Sequence, residues 1–151
     1  MKGDHIAGSI IRALAAVRQE CFRPKWRWHL SHVLIIEDEV LLAFSVEEAL
    51  RNLGYSTFDI VKSAPEAIEA AEQKCPDLII ADHQLIDGTG VGAVKAICAD
   101  KSIPVVFVTG SRTKVRQHLP EAYVVDKPFN FRRLKSAVSR AVEKPFRFQN
   151  N

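Results

Sequence analysis

The sequence is poor in cysteine, and the few it has are not placed for metal or redox chemistry. Cys21, Cys75 and Cys98 are the three in 151 residues. They are scattered and show no CxxC spacing, so they read as small hydrophobes in a reduced protein. No apolar run approaches the roughly 20 residues that a membrane-spanning helix needs. The N-terminus has no apolar core followed by a small-residue cleavage site, which argues against secretion and for a cytoplasmic protein. Low-complexity tracts and internal repeats are absent as well. A large charge excess is also missing. The formal net charge is +3, with part of the surplus near the N-terminus, too mild to argue for nucleic acid by itself.

What is present is enough apolar sequence for a core, at 47% of residues, arranged in short runs separated by helix-period segments. Val33-Leu34-Ile35-Ile36 reads as a strand buried on both faces. Leu42, Val46, Ala49, Leu50 and Leu53 follow at helical spacing, and Gly54 stops them. Ser56 to Val61 reads as a second strand. Ser63-Ala64-Pro65-Glu66 resembles a capping box with proline in the first turn, opening a helix that ends before Pro76. Leu78-Ile79-Ile80-Ala81 gives a third strand, and a helix is expected from about Val91 to Ala99. Val105 to Val108 gives a fourth strand, and Ala122 to Val125 a weaker fifth. Asn130 caps a last helix whose expected apolar stripe is Phe131, Leu134, Val138 and Val142. Strands alternating with helices imply right-handed crossovers and an α/β fold: a doubly wound, five-stranded parallel sheet with helices on both faces.

In such a sheet, ligands bind beyond the carboxyl ends of the strands, where strand order reverses. The residues at those ends are informative. The first strand runs into Glu37-Asp38-Glu39, the third ends at Asp82, the fourth at Thr109, and the fifth runs into Lys127. Clustered carboxylates repel one another unless a cation joins them. A hard divalent ion such as Mg²⁺ suits one or two carboxylates plus phosphate oxygens. A carboxylate can attack a phosphoryl group to form an aspartyl-phosphate, and the rest of such catalysis is positioning and charge neutralisation. A metal, the Lys127 ammonium and the Thr109 hydroxyl are the partners that transferring oxygens require.

Five motifs occur in order at these strand ends: Ile36-Glu37-Asp38-Glu39, Ile79-Ile80-Ala81-Asp82-His83-Gln84-Leu85, Gly88-Thr89-Gly90, Phe107-Val108-Thr109-Gly110 and Lys127-Pro128-Phe129. Together they make the chain from Val33 to about Glu143 resemble the response-regulator receiver domain of two-component signalling. The resemblance implies a flavodoxin-like fold and a phosphoacceptor that assists its own phosphorylation, not an enzyme acting on a separate substrate. It implies that Asp82 accepts the phosphoryl group and also binds metal. Glu37 and Asp38 become the acidic pair for Mg²⁺, with Asp38 the direct ligand, and Gln84 offers its backbone carbonyl. Thr109 becomes the switch hydroxyl, Lys127 the family's ammonium, and the Lys127–Pro128 bond is expected to be cis.

Three positions depart from the family pattern. Ile86 stands where receivers often have proline. Val124 occupies the usual aromatic switch position, with Tyr123 one residue earlier and therefore expected on the opposite face of the strand. The segment between Gly110 and Glu121 has room for only about two helical turns, with Val115 and Leu119 as its apolar anchors. The Phe-x-Thr-Gly core within Pro104–Gly110 is similar to that of the FATGUY subgroup of receivers. That subgroup is known for a missing aromatic switch and an atypical fourth helix.

The division expected is an N-terminal extension over residues 1–31, partly helical or poorly ordered, and a receiver domain over residues 32–151. In the extension, Ile6, Ile10, Leu14, Val17 and Cys21 fall on one helical stripe. The basic segment Arg23 to His29 carries Trp26 and Trp28, fitting a packing arm, a dimer contact, or a membrane-surface or partner-binding arm. With no DNA-binding or catalytic module recognised after the receiver, the expected role is a stand-alone receiver in a phosphorelay. It would be phosphorylated by a histidine kinase or phosphotransfer protein and would signal to a protein target, with no nucleic-acid partner. A phosphate sink for a shared kinase and an unphosphorylated interaction module are the alternatives. A phosphatase would need a second acid near Asp82, and Asp87 is the nearest in sequence.

Overall fold

A computed structural model describes residues 31–148; the apolar stripe from Ile6 to Cys21 and the tryptophan-bearing segment lie outside the described residues. The strands are β1 (His32–Ile36), β2 (Thr57–Val61), β3 (Leu78–Ala81), β4 (Val105–Thr109) and β5 (Tyr123–Asp126). The helices are α1 (Val40–Asn52), α2 (Ala64–Gln73), α3 (Gly90–Ile97), α4 (Arg112–His118) and α5 (Phe131–Glu143). All strand pairs are parallel, in the order β2-β1-β3-β4-β5. The chain steps outward from β1 to β2 and then crosses back to β3. Strand order therefore reverses between β1 and β3, and a crevice opens above their carboxyl ends.

The continuous apolar runs follow from burial on both faces. Along β1, Leu34 and Ile36 join a core with Ile79, Ala81, Phe107 and Val124 beneath α2 and α3. Val33 and Ile35 join the opposite core with Ile80, Val106, Val108 and Val125, beneath α1 and α5. Adjacent strand residues thus serve different layers, as the two-residue period requires. Phe107 is among the largest fully buried side chains, and truncating such a residue to alanine typically costs about 3–5 kcal/mol.

The helix boundaries have local chemical causes. Ser63 Oγ accepts from the Glu66 N–H at 3.3 Å, and Glu66 Oε2 accepts from the Lys62 N–H at 3.0 Å, a reciprocal cap displaced by one residue from the usual box. Asn130 Oδ1 accepts from the Arg133 N–H at 2.9 Å and starts α5. Gly54 follows α1 at φ +97° with open space around it, so backbone conformation is what selects glycine there.

Two sequence expectations need adjustment. Helix α3 runs from Gly90 to Ile97, earlier at both ends than the expected Val91 to Ala99: Thr89 caps its start through the Gly92 N–H, and Cys98, whose N–H donates to the Val94 carbonyl, is already the C-cap. The buried stripe of α5 is Leu134, Ala137, Val138 and Ala141, while Phe131 is 44% exposed. Phe131 is the first residue of the helix, next to the capping Asn130. Helix α4 is short, as expected, and Val115 is its one buried residue, with Leu119 buried just beyond it.

Among the described residues no helix is long and apolar enough to cross a membrane.

Candidate functional site

The parallel ladder continues for one bond beyond the assigned strands and fixes the backbones of the site residues. The Glu37 N–H donates to the Val61 carbonyl at 2.9 Å, the Asp82 N–H to the Ile36 carbonyl at 2.9 Å, and the Lys127 N–H to the Thr109 carbonyl at 3.1 Å. These three side chains are therefore carried on the sheet edge itself, which holds them more firmly than a free loop would.

They converge. Ligand oxygens of Glu37, Asp38 and Asp82 all lie within 4.8 Å of one another. The Lys127 ammonium donates to Asp82 Oδ2 at 2.8 Å and lies 3.0 Å from Glu37 Oε2. The other carboxylate oxygens are also engaged: Glu37 Oε1 accepts from the Glu39 N–H at 3.0 Å, and Asp82 Oδ1 from the His83 N–H at 2.6 Å. Glu37 and Asp82 are buried, while Asp38 is partly exposed. Burial pushes the Glu37 carboxyl above its usual range even though the Glu39 amide and Lys127 pull the other way. Burial would lower the Lys127 ammonium, but its bonds to Asp82 and Glu37 outweigh that and hold it above its ordinary value. An all-oxygen, acid-rich donor set of this kind fits a hard cation such as Mg²⁺.

Of the other residues expected at the site, Gln84 lies in the loop after β3, exposed and bridged to Thr89. Thr109 is fully buried at the end of β4, and its Oγ1 accepts from the Ser111 N–H at 3.1 Å. The Lys127–Pro128 peptide bond is cis, as the resemblance implied. Asp87 is exposed and stands outside the carboxylate cluster, where its carbonyl accepts the Ala64 N–H at 2.9 Å.

Gly90 shapes the loop above Asp82. Its N–H donates to the His83 carbonyl at 2.9 Å. A Cβ at this position would fall 1.7 Å from the Asp82 carbonyl oxygen, so only glycine allows the backbones to approach this closely. His83 is buried beside the acceptor, and its Nδ1 has no hydrogen-bond partner. Burial, with Lys114 and His118 nearby, lowers its pKa and favours the neutral ring.

At the β5 edge, Val124 belongs to one core and Tyr123 packs against the other. Tyr123 points away and donates its hydroxyl to the Lys144 carbonyl at 2.7 Å. No ring stands at the Val124 position. Instead, Arg112 reaches across from α4. Its Nε is 2.9 Å from Asp126 Oδ1, and its terminal nitrogen is 2.8 Å from Asp126 Oδ2 and 3.0 Å from the Val124 carbonyl. This clasp was not foreseen from the sequence, because its partners are 14 residues apart and neither belongs to a motif.

Comparison with known proteins agrees with this geometry. The family model described as "Response regulator receiver domain" matches residues 33–139, more than half of the chain. The phyllosphere-induced regulator PhyR of Methylorubrum extorquens is 34% identical over 116 residues, which are 74% of this chain and 43% of PhyR. The transcriptional regulatory protein PdtaR of Mycobacterium tuberculosis is 33% identical over 117 residues, 74% of this chain and 57% of PdtaR. The chain thus spans about half the length of these relatives. Among solved structures, the solution structure of the PhyR receiver domain from Erythrobacter litoralis superposes with a TM-score of 0.71. It is 28% identical and covers 81% of this chain and 97% of that one.

Proposed function

The chain belongs to the response regulator receiver domain family, and we propose that within it Asp82 accepts a phosphoryl group from a histidine kinase or a histidine phosphotransfer protein in the cytoplasm. The observation that carries this reading is the single Lys127 ammonium shared by Asp82 and Glu37, with Asp38 in the same carboxylate cluster.

The chemistry assigns each residue a task. A carboxylate oxygen of Asp82 attacks the phosphorus of the donor phosphohistidine, the P–N bond breaks, and the departing imidazole takes up a proton. Lys127 holds Asp82 Oδ2 and supplies positive charge where the transferring oxygens gather. The His83 amide fixes Oδ1 and so sets the orientation of the acceptor carboxylate. Asp38 and Asp82, with Glu37 and the Gln84 backbone carbonyl, are the groups that would hold Mg²⁺. When bound, the ion offsets the charge of the carboxylates and the phosphoryl oxygens. Thr109 is the hydroxyl expected to turn from the Ser111 amide toward the phosphoryl group, and α4 begins only three residues beyond it.

A protein donor suits this edge. All five exposed large hydrophobics among the described residues, Val40, Leu41, Phe44, Ile86 and Phe131, lie in the first two turns of α1, at the start of α5 or in the loop after β3. Those segments follow strand ends and therefore rim the carboxylate cluster. Apolar groups gathered around a polar centre mark a protein-contact surface.

The test is to incubate the protein with Mg²⁺ and a small acyl-phosphate donor and weigh it intact. A phosphoryl adduct labile to hydroxylamine is expected, and Asp82→Asn should abolish it. An unmodified mass with this donor and with candidate kinases would overturn the proposal in favour of an unphosphorylated interaction module.

A further inference from the structure

Beside the starts of β1 and β2, a groove of about 500 Å³ runs between the end of α1 and the second half of α5. Leu53, Tyr55, Val138 and Val142 give it apolar walls, and the exposed Lys135 and Glu143 complete the lining. Val138 is buried, but Leu53, Tyr55 and Val142 are only partly covered by the core they pack against. Apolar walls edged by charge are the anatomy of a protein contact. Phosphotransfer makes no use of this groove, because the parallel strands carry Glu37, Asp82 and Lys127 to the opposite edge of the sheet.

The chain itself enters the domain here. Ser31, the residue before β1, is part of the groove lining. Its carbonyl accepts from the Ser56 and Thr57 N–H groups at 3.4 Å each, which pins the entry point next to Tyr55. Thirty residues of sequence lead up to Ser31. Ile6, Ile10, Leu14 and Val17 recur in them at helical spacing, with Arg12 and Gln19 on the opposite side. As a helix, residues 6–17 would be about 18 Å long at 1.5 Å per residue, against about 20 Å for the 13 residues of α5. The two match in length and can lie side by side. Residues 18–30 in between include Pro24, which disfavours one continuous helix. Extended, they reach about 40 Å, ample for the segment to turn back on the domain.

We propose that residues 6–17 form an amphipathic helix that docks in this groove of the same chain, with Ile6, Ile10, Leu14 and Val17 against Leu53, Tyr55 and Val142. An occupant from the same chain is favoured over a second copy or a separate partner because the groove begins where the chain enters. A tether of this length holds the segment at an effective concentration on the order of millimolar. A modest apolar contact is then made within one molecule before another molecule competes for it. The inference goes beyond phosphotransfer and does not depend on Asp82 being modified.

The experiment uses the full chain with the photo-crosslinking residue p-benzoylphenylalanine placed at Ser139, an exposed groove residue on α5. Natural-abundance and 15N-labelled protein are mixed in equal amounts before irradiation. Peptide mass spectrometry should then find crosslinks to residues 6–17 within molecules of one label. The same group at Lys95, exposed on α3 on the other layer of the sheet, should give none to residues 6–17. Ile10→Asp/Leu14→Asp should lower the Ser139 crosslink yield at least about fivefold, because charge would have to enter an apolar groove. Gln19→Asp, on the opposite side of the stripe, should leave the yield within twofold. These substitutions lie ahead of β1 or at exposed positions, so circular dichroism should remain that of the folded α/β domain. Crosslinks between differently labelled molecules would assign the groove to a second copy and overturn the proposal. No crosslink to residues 6–17, an equal yield from Lys95, or an unchanged yield in the Ile10→Asp/Leu14→Asp variant would overturn it as well.

Discussion

The Lys127 ammonium sits 2.8 Å from Asp82 Oδ2, on the same carboxylate that belongs to the candidate metal cluster. Lysine and metal therefore compete for, and jointly neutralise, one set of oxygens. Lys127→Met should bind Mg²⁺ more tightly than the native protein, because a nearby positive charge has been removed. Calorimetric titration reads this directly, and weaker binding would contradict it. The same variant should accept phosphoryl at least about a hundredfold more slowly, the scale of losing one preorganised charge contact.

The tight approach at Gly90 gives a second expectation. A methyl group there meets the Asp82 carbonyl at 1.7 Å, whereas one at Gly110 meets nothing within 4 Å. Gly90→Ala should lose more than the about 1–3 kcal/mol typical of overpacking, since the obstacle is backbone. Gly110→Ala should stay within about 0.5 kcal/mol. Urea unfolding of the two variants side by side makes the comparison, and equal losses would show that the loop moves aside.

His32 provides a test far from the crevice. It is buried at the start of β1, with Nδ1 3.0 Å from Thr57 Oγ1 and Nε2 3.0 Å from Asp59 Oδ2. Burial, and Lys74 to a smaller extent, lower its pKa despite the attraction of Asp59 and Asp77. The unfolded chain then takes up the proton more readily than the folded one. Stability attached to this residue is complete above the unfolded pKa of about 6.5 and is lost as pH falls toward the lowered folded value. Unfolding free energies of the native protein and of His32→Gln, measured from pH 7.5 to 5, should converge as the pH drops. A gap that widens on acidification would contradict the direction.

Tyr123 and Val124 separate two roles. Tyr123→Phe removes the bond to the Lys144 carbonyl at an exposed site, so it should cost no more than about 1 kcal/mol. It should also leave the phosphorylation rate of Asp82 within twofold, because its ring packs on the layer opposite Val124. A larger kinetic effect, read by intact mass over time, would mean that Tyr123 takes part in switching after all.

For Arg112 the expected readout is local motion. Helix α4 has one buried residue, Val115, so the clasp to Asp126 and the Val124 carbonyl carries much of its attachment. Arg112→Ala should raise amide exchange across α4 several-fold while β4 and α3 stay unchanged, in line with about 1 kcal/mol for a well-formed ion pair.

Much of this fold was legible because the apolar runs at Val33–Ile36, Leu78–Ala81 and Val105–Val108 can satisfy a two-sided burial only in the middle of a parallel sheet. The site was legible for a related reason. Glu37, Asp82 and Thr109 each directly follow such a run and Lys127 follows β5, so strand direction alone brings them to one edge. The opposite orientations of Tyr123 and Val124 followed from the two-residue period. Phe131 misled because helical spacing reports which face a residue is on and not how deeply the helix's first residue is covered. Arg112–Asp126 and the His32 network were hidden for another reason. Each joins polar residues from segments whose spacing in three dimensions is set by packing, and no local pattern encodes it.

The Arg112 clasp also has a consequence for how movement at Thr109 would reach the outer surface. Where an aromatic plug would make that linkage a matter of volume, here it ends in two half-exposed charges, with 40% and 48% of their side-chain surfaces open to water. Such a mooring slackens as electrolyte is added and tightens in dilute solution. The responsiveness of the α4 edge should thus be adjustable by the ionic medium, a dial that a greasy hinge would not possess.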